Sequence, residues 1–353
     1  MTNVHNGLEG IVAAETRLSM VDGERGELVI AGHRVEELAP SATFEERAAL
    51  LFEAAGFGLR QLRCRFLSEA TLSLLKAATQ QSKEPMDALR MAAGTLNEDD
   101  LPGAFPTIVA TYWRLLHGQE PLAPRADLGY AANYLYMLTG IEPHAELVRG
   151  LETYLNTVVD HGLNASTFTA RVIASTGSDL VSAITGAIGA LKGPLHGGAP
   201  GPALDMVFEI GDASRAEEVL RRKIESGERL MGFGHRVYKV RDPRADVLAA
   251  AAERMFTRAG DMRLYDLARS VEQTALRLLE EYKPGRKLQT NVEFYTALLL
   301  HGLGLEVPLF TPTFAISRVV GWIAHCAEQR RTGRIIRPQS VYIGAQPLEA
   351  AAV

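Results

Sequence analysis

The sequence predicts an all-α protein, or nearly so, on three observations. Apolar residues recur at helical spacing after Pro40, strand signals are confined to the stretch before it, and nowhere does strand alternate with helix as a doubly wound sheet requires. The stretch Glu9–Leu38 sets Gly10, Gly23, Gly26 and Gly32 between short apolar runs, which predicts short extended pieces and turns such as Glu27–Ile30. A helix over Phe44–Ala55 follows Thr43, a residue suited to cap it, with Glu46 placed three residues on to complete a capping box. Helices over Pro85–Leu96, Pro106–Leu116 and Leu128–Leu138 repeat the pattern, with Gly or Pro between them. Ser178 or Asp179 then caps a helix whose apolar face is Leu180, Ile184, Ala187, Ile188 and Leu191, stopped by Gly193-Pro194. Its small residues, among them Ala183, Gly186 and Gly189, let a neighbouring helix come close, which fits a core helix and equally one in a subunit interface. Asp242-Pro243 supplies a favoured cap and first residue for a helix continuing over Ala245–Phe256, and the last readable helix starts near Asn291 and ends at Gly302.

Length and composition bound the function classes. The chain of 353 residues is long enough for one large domain or two unequal ones, and 47% apolar with 22% charged residues describes a globular protein. A net charge of −5 argues against a general nucleic-acid or anionic-membrane binder. Cys64 and Cys326 stand far apart without a CxxC pair, so neither a disulfide framework nor a thiolate metal site is expected. The polar start of the chain shows no secretory signal, and the apolar run near Phe294–Leu300 is too short for a membrane span, so the expected location is the cytoplasm, with no membrane partner.

Three segments look chemical. In Gly193-Pro-Leu-His-Gly-Gly-Ala199, His196 sits between a helix stop and two glycines, where backbone can come close to a ligand; an ordinary interhelical loop has the same appearance. The stretch Met231–Arg244 places His235 after a Gly-Phe-Gly turn and then sets Arg236, Lys239, Arg241 and Arg244 close together, a cationic cluster that suits an anionic small molecule or a solvated basic loop. In Thr290–Tyr295, Glu293 lies in the first turn of a helix, where the dipole favours its ionised form and where a glutamate commonly serves only the helix. Taken together, two histidines and a carboxylate are the parts needed to abstract a weakly acidic proton beside a carbonyl and to stabilise the enolate.

At this point the sequence resembles the citrate synthase family over nearly its whole length. The resemblance rests on Gly7–Thr16, Asp160–Thr167, Gly193–Ala199, Gly232–Lys239 with Asp242-Pro-Arg244, Asn291–Tyr295, and Phe310-Thr-Pro312 leading to Arg318, Gly321–His325 and Arg337-Pro338. It looks like the shorter bacterial and archaeal branch. The resemblance implies an all-α homodimer with a large domain, 1–197 plus 305–353, and an inserted smaller domain, 198–304, that closes over the substrates. It also implies condensation of an acyl-CoA with a 2-oxo acid followed by thioester hydrolysis, with oxaloacetate and acetyl-CoA giving citrate as the parent reaction and propionyl-CoA giving 2-methylcitrate beside it. Carried over by position, His196 would bond the thioester oxygen, Glu293 would take the α-proton, and His235 would polarise the keto group. His161, Arg244 and Arg318 would hold the 2-oxo acid, joined by Arg337 from the neighbouring subunit. Leu230, Met231, Gly232, Phe233 and Gly234 would form the loop around the adenine of coenzyme A, with Lys239 a phosphate contact. Coenzyme A enters as a thioester substrate, and no tightly bound cofactor or metal is implied.

The chain departs from the family pattern at telling places. The family's Asn-Val-Asp-Phe-Tyr-Ser-Gly reads Asn291-Val-Glu-Phe-Tyr-Thr-Ala297, so the base is longer by a methylene, roughly 1.5 Å, where a misplacement of about 1 Å costs on the order of a hundredfold in rate. The usual Asp-His-Glu is Asp160-His161-Gly162, the usual Gly-Gly-Ala-Asn ends in Pro200, an Arg-Gly near the N-terminus is Ala31-Gly32, and Ala-His-Pro-Met is Lys83-Glu84-Pro85-Met86. The expectation is an active enzyme with altered kinetics or substrate; a weakly active paralogue that binds coenzyme A or oxaloacetate is the alternative. The other histidines, His325 among them, read as packing residues.

Overall fold

Burial, rather than helix propensity alone, sets the architecture, because helices of this length are marginal in water until an apolar face is covered. The computed structural model describes residues 6–8, 10–56, 62–197 and 200–345. The N-terminal part forms a small antiparallel sheet of β1 (Ser19–Asp22), β2 (Glu27–Ile30) and β3 (His33–Arg34), in the order β1-β2-β3 with Ser19 paired to Ile30. The predicted extended piece Glu27–Ile30 is the middle strand, and its Leu28 and Ile30 point into the core as the period of two requires.

Helices follow without interruption by further strands among the described residues. They are α1 (Val35–Leu38), α2 (Phe44–Ala54), α3 (Glu69–Ala78), α4 (Pro85–Ala93), α5 (Leu101–Leu116), α6 (Tyr130–Thr139), α7 (Ala145–Val158), α8 (Ala165–Ala174) and α9 (Leu180–Leu191). Next come α10 (Pro200–Ile210), α11 (Ala216–Glu225), α12 (Pro243–Ala259), α13 (Arg263–Tyr282), α14 (Val292–Gly302) and α15 (Phe310–Thr332). The predicted caps sit where local chemistry puts them. Thr43 closes a full capping box with Glu46, Asp179 caps α9, Asp242 caps α12 ahead of Pro243, and Asn291 caps α14.

The expected helix over Pro106–Leu116 is longer than its sequence suggests. It begins at Leu101, and Pro106 lies inside it. Proline removes the N–H that would serve the carbonyl four residues back, here Pro102. That carbonyl lies 2.8 Å from the Tyr130 hydroxyl of α6, which divides its one proton between Pro102 O and Ile316 O, also at 2.8 Å. The helix expected to run from Pro85 to Leu96 ends at Ala93, and that expected from Leu128 begins at Tyr130.

The helix α15 runs through the main core, packed on α8, α5, α9 and α7, with Trp322 wholly buried. An 18-residue stretch within Val307–Thr332 is apolar enough to cross a bilayer, but 78% of that stretch is buried inside the fold, as a central core helix must be. Helices α8 and α9 cross closely because Gly186 faces the Ile173 side chain, where a Cβ would collide. Helices α10, α11, α13 and α14 pack mainly on one another and on α12, which in turn lies against α7. The expected domain boundary at Gly198 lies outside the described residues. The candidate site lies where α8, the α9–α10 connection, the loop before α12 and the start of α14 meet.

Candidate active site

The first wall is the turn between α7 and α8. Asp160 is wholly buried. Its carboxylate accepts from the Ser19 hydroxyl at 2.5 Å, and that hydroxyl accepts from the Gly162 N–H at 2.9 Å. The turn carrying His161 is thereby tied to strand β1, and Gly162 takes φ +57°, a conformation that favours glycine. His325 lies behind it, its Nε2 3.1 Å from Asp160 and its Nδ1 3.0 Å from Arg171 Nη1. Arginine can only donate, so Nδ1 is the acceptor and Nε2–H points at Asp160. His325 is therefore buried as expected, but as a polar link rather than as simple packing. Burial pushes the Asp160 carboxyl up, yet His325, Arg318 and the Ser19 hydroxyl together hold it below the usual range.

Asn164 caps α8 and so places Ser166 in its first turn. The Ser166 hydroxyl accepts from Trp322 Nε1 at 3.1 Å and lies 2.8 Å from both Asn164 Oδ1 and His196 Nε2. His196 reaches this point because the chain turns back after α9. The Gly197 N–H bonds Leu191 O at 3.0 Å, and Thr311 of α15 donates to Gly197 O at 3.0 Å. A Cβ at position 197 would meet the Leu191 carbonyl at 2.6 Å, so the glycine beside His196 is required for this fold-back. Gly198 and Ala199 of the same segment lie outside the described residues.

The opposite wall comes from the basic segment. His235 Nδ1 accepts from the backbone N–H groups of Val237 and Tyr238, both at 3.0 Å, which puts the ring proton on Nε2. That Nε2 lies 3.5 Å from Arg244 Nη2, which is also a donor. Two donors facing each other mark a place for an acceptor oxygen. Arg244 is 4% exposed and clamped by Asp242 through Nε at 3.0 Å and Nη2 at 2.8 Å. The same Asp242 accepts from the Val292 N–H at 3.2 Å, one residue before Glu293, so one carboxylate fixes both Arg244 and the start of α14. Glu293 has its own N–H on the Asn291 side chain at 3.0 Å.

Arg318 completes the set from α15. It is 1% exposed, its Nε donates to Val158 O at 2.7 Å, and its Nη1 is buried without a partner. A buried guanidinium nitrogen left unpaired is costly, and that cost is recovered when an anion enters.

The electrostatics follow from burial. The His196 and His235 rings are pushed down to about 4, by burial first and then by Arg318 and Arg244 respectively. His161 is held well below the usual histidine range by burial, and by Arg244, His235, Arg318 and His196. All three rings are neutral near pH 7. Glu293 goes the other way, pushed up to about 7 by burial, with Arg244 and Arg229 opposing. A neutral imidazole donor, a carboxyl poised near neutrality and an unpaired buried guanidinium can remove a proton beside a carbonyl and hold the developing oxyanion.

The structure thus brings together His161, His196, His235, Glu293, Arg244 and Arg318, although their positions run from 161 to 318. It does not bring Arg337 to them within one chain. The neighbouring Ile336 N–H is bonded to Ser175 at the C-terminal end of α8, about 13 Å along the helix from Ser166, and Arg337 is exposed. Leu230, Gly232, Phe233 and Gly234 are buried and Met231 half-buried, in a loop laid against the segment before α14; Phe233 bridges Thr290, and the Asn291 N–H bonds Gly232 O at 3.0 Å. Lys239 is exposed and held by its backbone to Gly23 O at 2.9 Å. Gly232 takes φ +85°, and a Cβ there would meet Phe294 at 2.9 Å. Gly232→Ala is expected to cost about 2–4 kcal/mol of stability, read from urea unfolding.

Sequence reasoning did not single out Ser166, Asp242 or Tyr238 as site residues. Asp242 was legible as a helix cap, and nothing local told that its second oxygen serves α14. Tyr238 Oη lies 3.1 Å from His161 Nε2, a contact across 77 residues.

Comparison with known proteins bears on the family and the fold. The family model described as citrate synthase, C-terminal domain, matches residues 7–339. The citrate synthase of Haloferax volcanii is 38% identical, covering 97% of this chain and 96% of that protein. A 2-methylcitrate synthase of Mycobacterium tuberculosis is also 38% identical, covering 97% and 91%. The solved ternary complex of carboxymethyl coenzyme A and oxaloacetate with citrate synthase from Thermoplasma acidophilum superposes with a TM-score of 0.88 at 26% identity, over 100% of this chain and 99% of that one.

Proposed function

The chain belongs to the citrate synthase family, and we propose that it condenses acetyl-CoA with oxaloacetate and water to give citrate and free coenzyme A. The observation that carries this reading is the unpaired, buried Nη1 of Arg318, on a guanidinium close enough to feel that of Arg244, which in turn faces the Nε2–H of His235. A 2-oxo dicarboxylate offers a carboxylate to the unpaired Arg318 Nη1 and a keto oxygen to the His235 Nε2–H, beside the Arg244 guanidinium that Asp242 already holds.

The steps follow from where the protons are. Glu293, ionised in a useful fraction near pH 7, takes a proton from the carbon beside the thioester carbonyl. His196 donates to the thioester oxygen as charge builds there. It can do so from Nδ1 only if the Ser166 hydroxyl gives its proton to His196 Nε2 rather than to Asn164, so Ser166 selects the tautomer. The nucleophilic carbon then forms a bond to the keto carbon. The keto oxygen, held by His235 Nε2–H, gains a proton from it, and the ring is reprotonated through water as Glu293 releases the proton it took. Water cleaves the resulting thioester, releasing the thiol of coenzyme A.

Further parts belong to the same reading. The chain acts as a homodimer in the cytoplasm, and the partner subunit's Arg337 supplies the carboxylate contact that this chain's own Arg337 is too far away to make. The segment 198–304 is the smaller domain that closes over the substrates, supported by the mutual packing of α10–α14. The loop Leu230–Gly234 takes the adenine of coenzyme A and Lys239 a phosphate. A second acyl donor, propionyl-CoA giving 2-methylcitrate, is favoured by the equal identity to the Mycobacterium tuberculosis relative.

The test is a panel of acyl-CoA donors with oxaloacetate and other 2-oxo acids, followed by thiol release. Best turnover is expected with oxaloacetate and acetyl-CoA. Absence of turnover with acetyl- and propionyl-CoA alike would refute the reading.

A further inference from the structure

The segments that carry the site are held from behind by one side chain that touches none of the six residues assembled above. Glu272 lies in the middle of α13 and is 4% exposed. Its Oε1 accepts from Arg241 Nη1 at 2.7 Å and from the Thr290 hydroxyl at 2.7 Å, and its Oε2 accepts from the Tyr295 hydroxyl at 2.5 Å. Each donor sits on a piece of chain that positions the site. Arg241 precedes Asp242, the clamp of Arg244. Thr290 precedes Asn291, the cap of α14. Tyr295 lies on α14 itself, two residues beyond Glu293.

Thr290 is the crossing point of this arrangement. Its side chain reaches back to Glu272, while its backbone bridges Phe233 and its carbonyl receives the Asp242 N–H at 3.4 Å. A shift of Thr290 therefore moves the Gly232–Gly234 loop, the Asp242 clamp and the Glu293 helix together. Arg241 has a second carboxylate partner, Asp246, at 2.5 Å, so Glu272 is not there merely to neutralise it. Two oxygens serving three donors also make the site intolerant of an amide. In glutamine one oxygen becomes an NH2 group. Turned toward Arg241 it faces a group that can only donate, and turned toward Tyr295 it makes the phenol an acceptor and leaves the phenol proton unplaced, so the three bonds cannot all be kept.

We propose that Glu272 is a positioning residue for the condensation, setting the place of Glu293 relative to the bound acyl-CoA by holding Arg241, Thr290 and Tyr295 on one buried carboxylate. This rests on the reading of Glu293 as the base. The ionised state that the arrangement needs is supplied by the same three groups. Burial pushes the Glu272 carboxyl up, but Thr290, Tyr295 and Arg241 hold it below the usual range.

The experiment compares wild type, Glu293→Gln and Glu272→Gln in steady-state thiol release with oxaloacetate and acetyl-CoA, alongside thermal unfolding of each. For Glu272→Gln, kcat is expected to fall about 30- to 100-fold, as a displacement near 1 Å of the base would give. KM for oxaloacetate is expected to rise by a smaller factor than kcat falls, because Arg318 keeps its anchor on Val158 while Arg244 moves as one unit with its Asp242 clamp. The acid limb of the kcat profile is expected to move as Glu293 changes surroundings. Thr290→Val and Tyr295→Phe each remove one donor and are expected to lower kcat about three- to tenfold, which keeps the inference testable should Glu272→Gln not fold. Folded variants with wild-type kcat and an unmoved acid limb would overturn it, as would a loss confined to temperatures near unfolding. A wild type without turnover, or a Glu293→Gln variant that retains it, instead strikes the functional reading on which the inference rests.

Discussion

Glu293→Gln is expected to reduce turnover by at least about a thousandfold while making the protein more stable at pH 8. Loss of a proton-abstracting base removes an interaction realised only in the transition state, so kcat falls with little change in substrate binding. The gain in stability has the same origin as the catalytic power. Burial raises the Glu293 carboxyl from 4.5 to about 7. Between those values the folded protein binds a proton that the unfolded chain has released, so stability falls as pH rises through that window. Above it the full penalty of a buried, ionised carboxylate is present, on the order of 2 kcal/mol after discounting for partial exposure. Glutamine carries no such penalty. The check is paired: thiol release for activity, and urea unfolding at pH 5 and pH 8 for stability. The stability difference between wild type and variant should be clear at pH 8 and small at pH 5. In wild type, kcat should fall as pH drops below about 7, because the protonated carboxyl cannot accept the α-proton. Glu293→Asp is expected to lower kcat about 10- to 100-fold, since the retracted carboxylate no longer reaches a carbon placed for the longer side chain. A rise instead would identify the native protein as a weakened catalyst.

Arg318→Met is expected to raise KM for oxaloacetate by about a hundredfold or more with only a small effect on folding. The side chain brings an unpaired Nη1, a bond from Nε to Val158 O and a charge that faces the buried Asp160 carboxylate. Removing one partner of a buried, hydrogen-bonded charge pair costs about 2–5 kcal/mol of binding, or roughly 30- to 4,000-fold. In the free protein the balance is different. Burial already disfavours the charge, pushing the Arg318 guanidinium down to about 10, and methionine of similar length relieves that desolvation while leaving the Val158 carbonyl without its donor. These opposing effects nearly cancel. The measurement is a titration with oxaloacetate alone, followed by calorimetry, together with thermal unfolding in the absence of substrate. Unchanged affinity in the folded variant would remove Arg318 from the acceptor site.

Much of the fold was legible because its signals are local. Thr43, Asp179, Asp242 and Asn291 cap their helices through side chains that reach only two or three residues along, so residue type and spacing suffice to place them. The error at Pro106 has the opposite cause. A proline inside a helix reads as a start when its only visible neighbours are in sequence, and the hydroxyl that meets the Pro102 carbonyl, Tyr130, lies 28 residues away. The site divides in the same way. His196 and His235 stand out beside glycines whose conformations the loops require. Glu293 does not, because its neighbours in sequence describe an exposed first-turn glutamate as well as a buried base. Ser166 lay within a recognised motif, but its role depends on Trp322 and His196, contacts across 156 and 30 residues.

The sequence by itself determined the helical class and the starts of α2, α4, α9, α12 and α14, since these are properties of residue type and of spacing within a turn or two, while the imidazole, carboxylate and guanidinium groups expected at the site came from its resemblance to the citrate synthase family. The tertiary structure alone decided which of those groups are buried, which ring nitrogen carries the proton, and that one nitrogen of Arg318 is left without a partner. Each of those depends on desolvation and on hydrogen bonds between segments far apart in the chain, and no local pattern of residues encodes them.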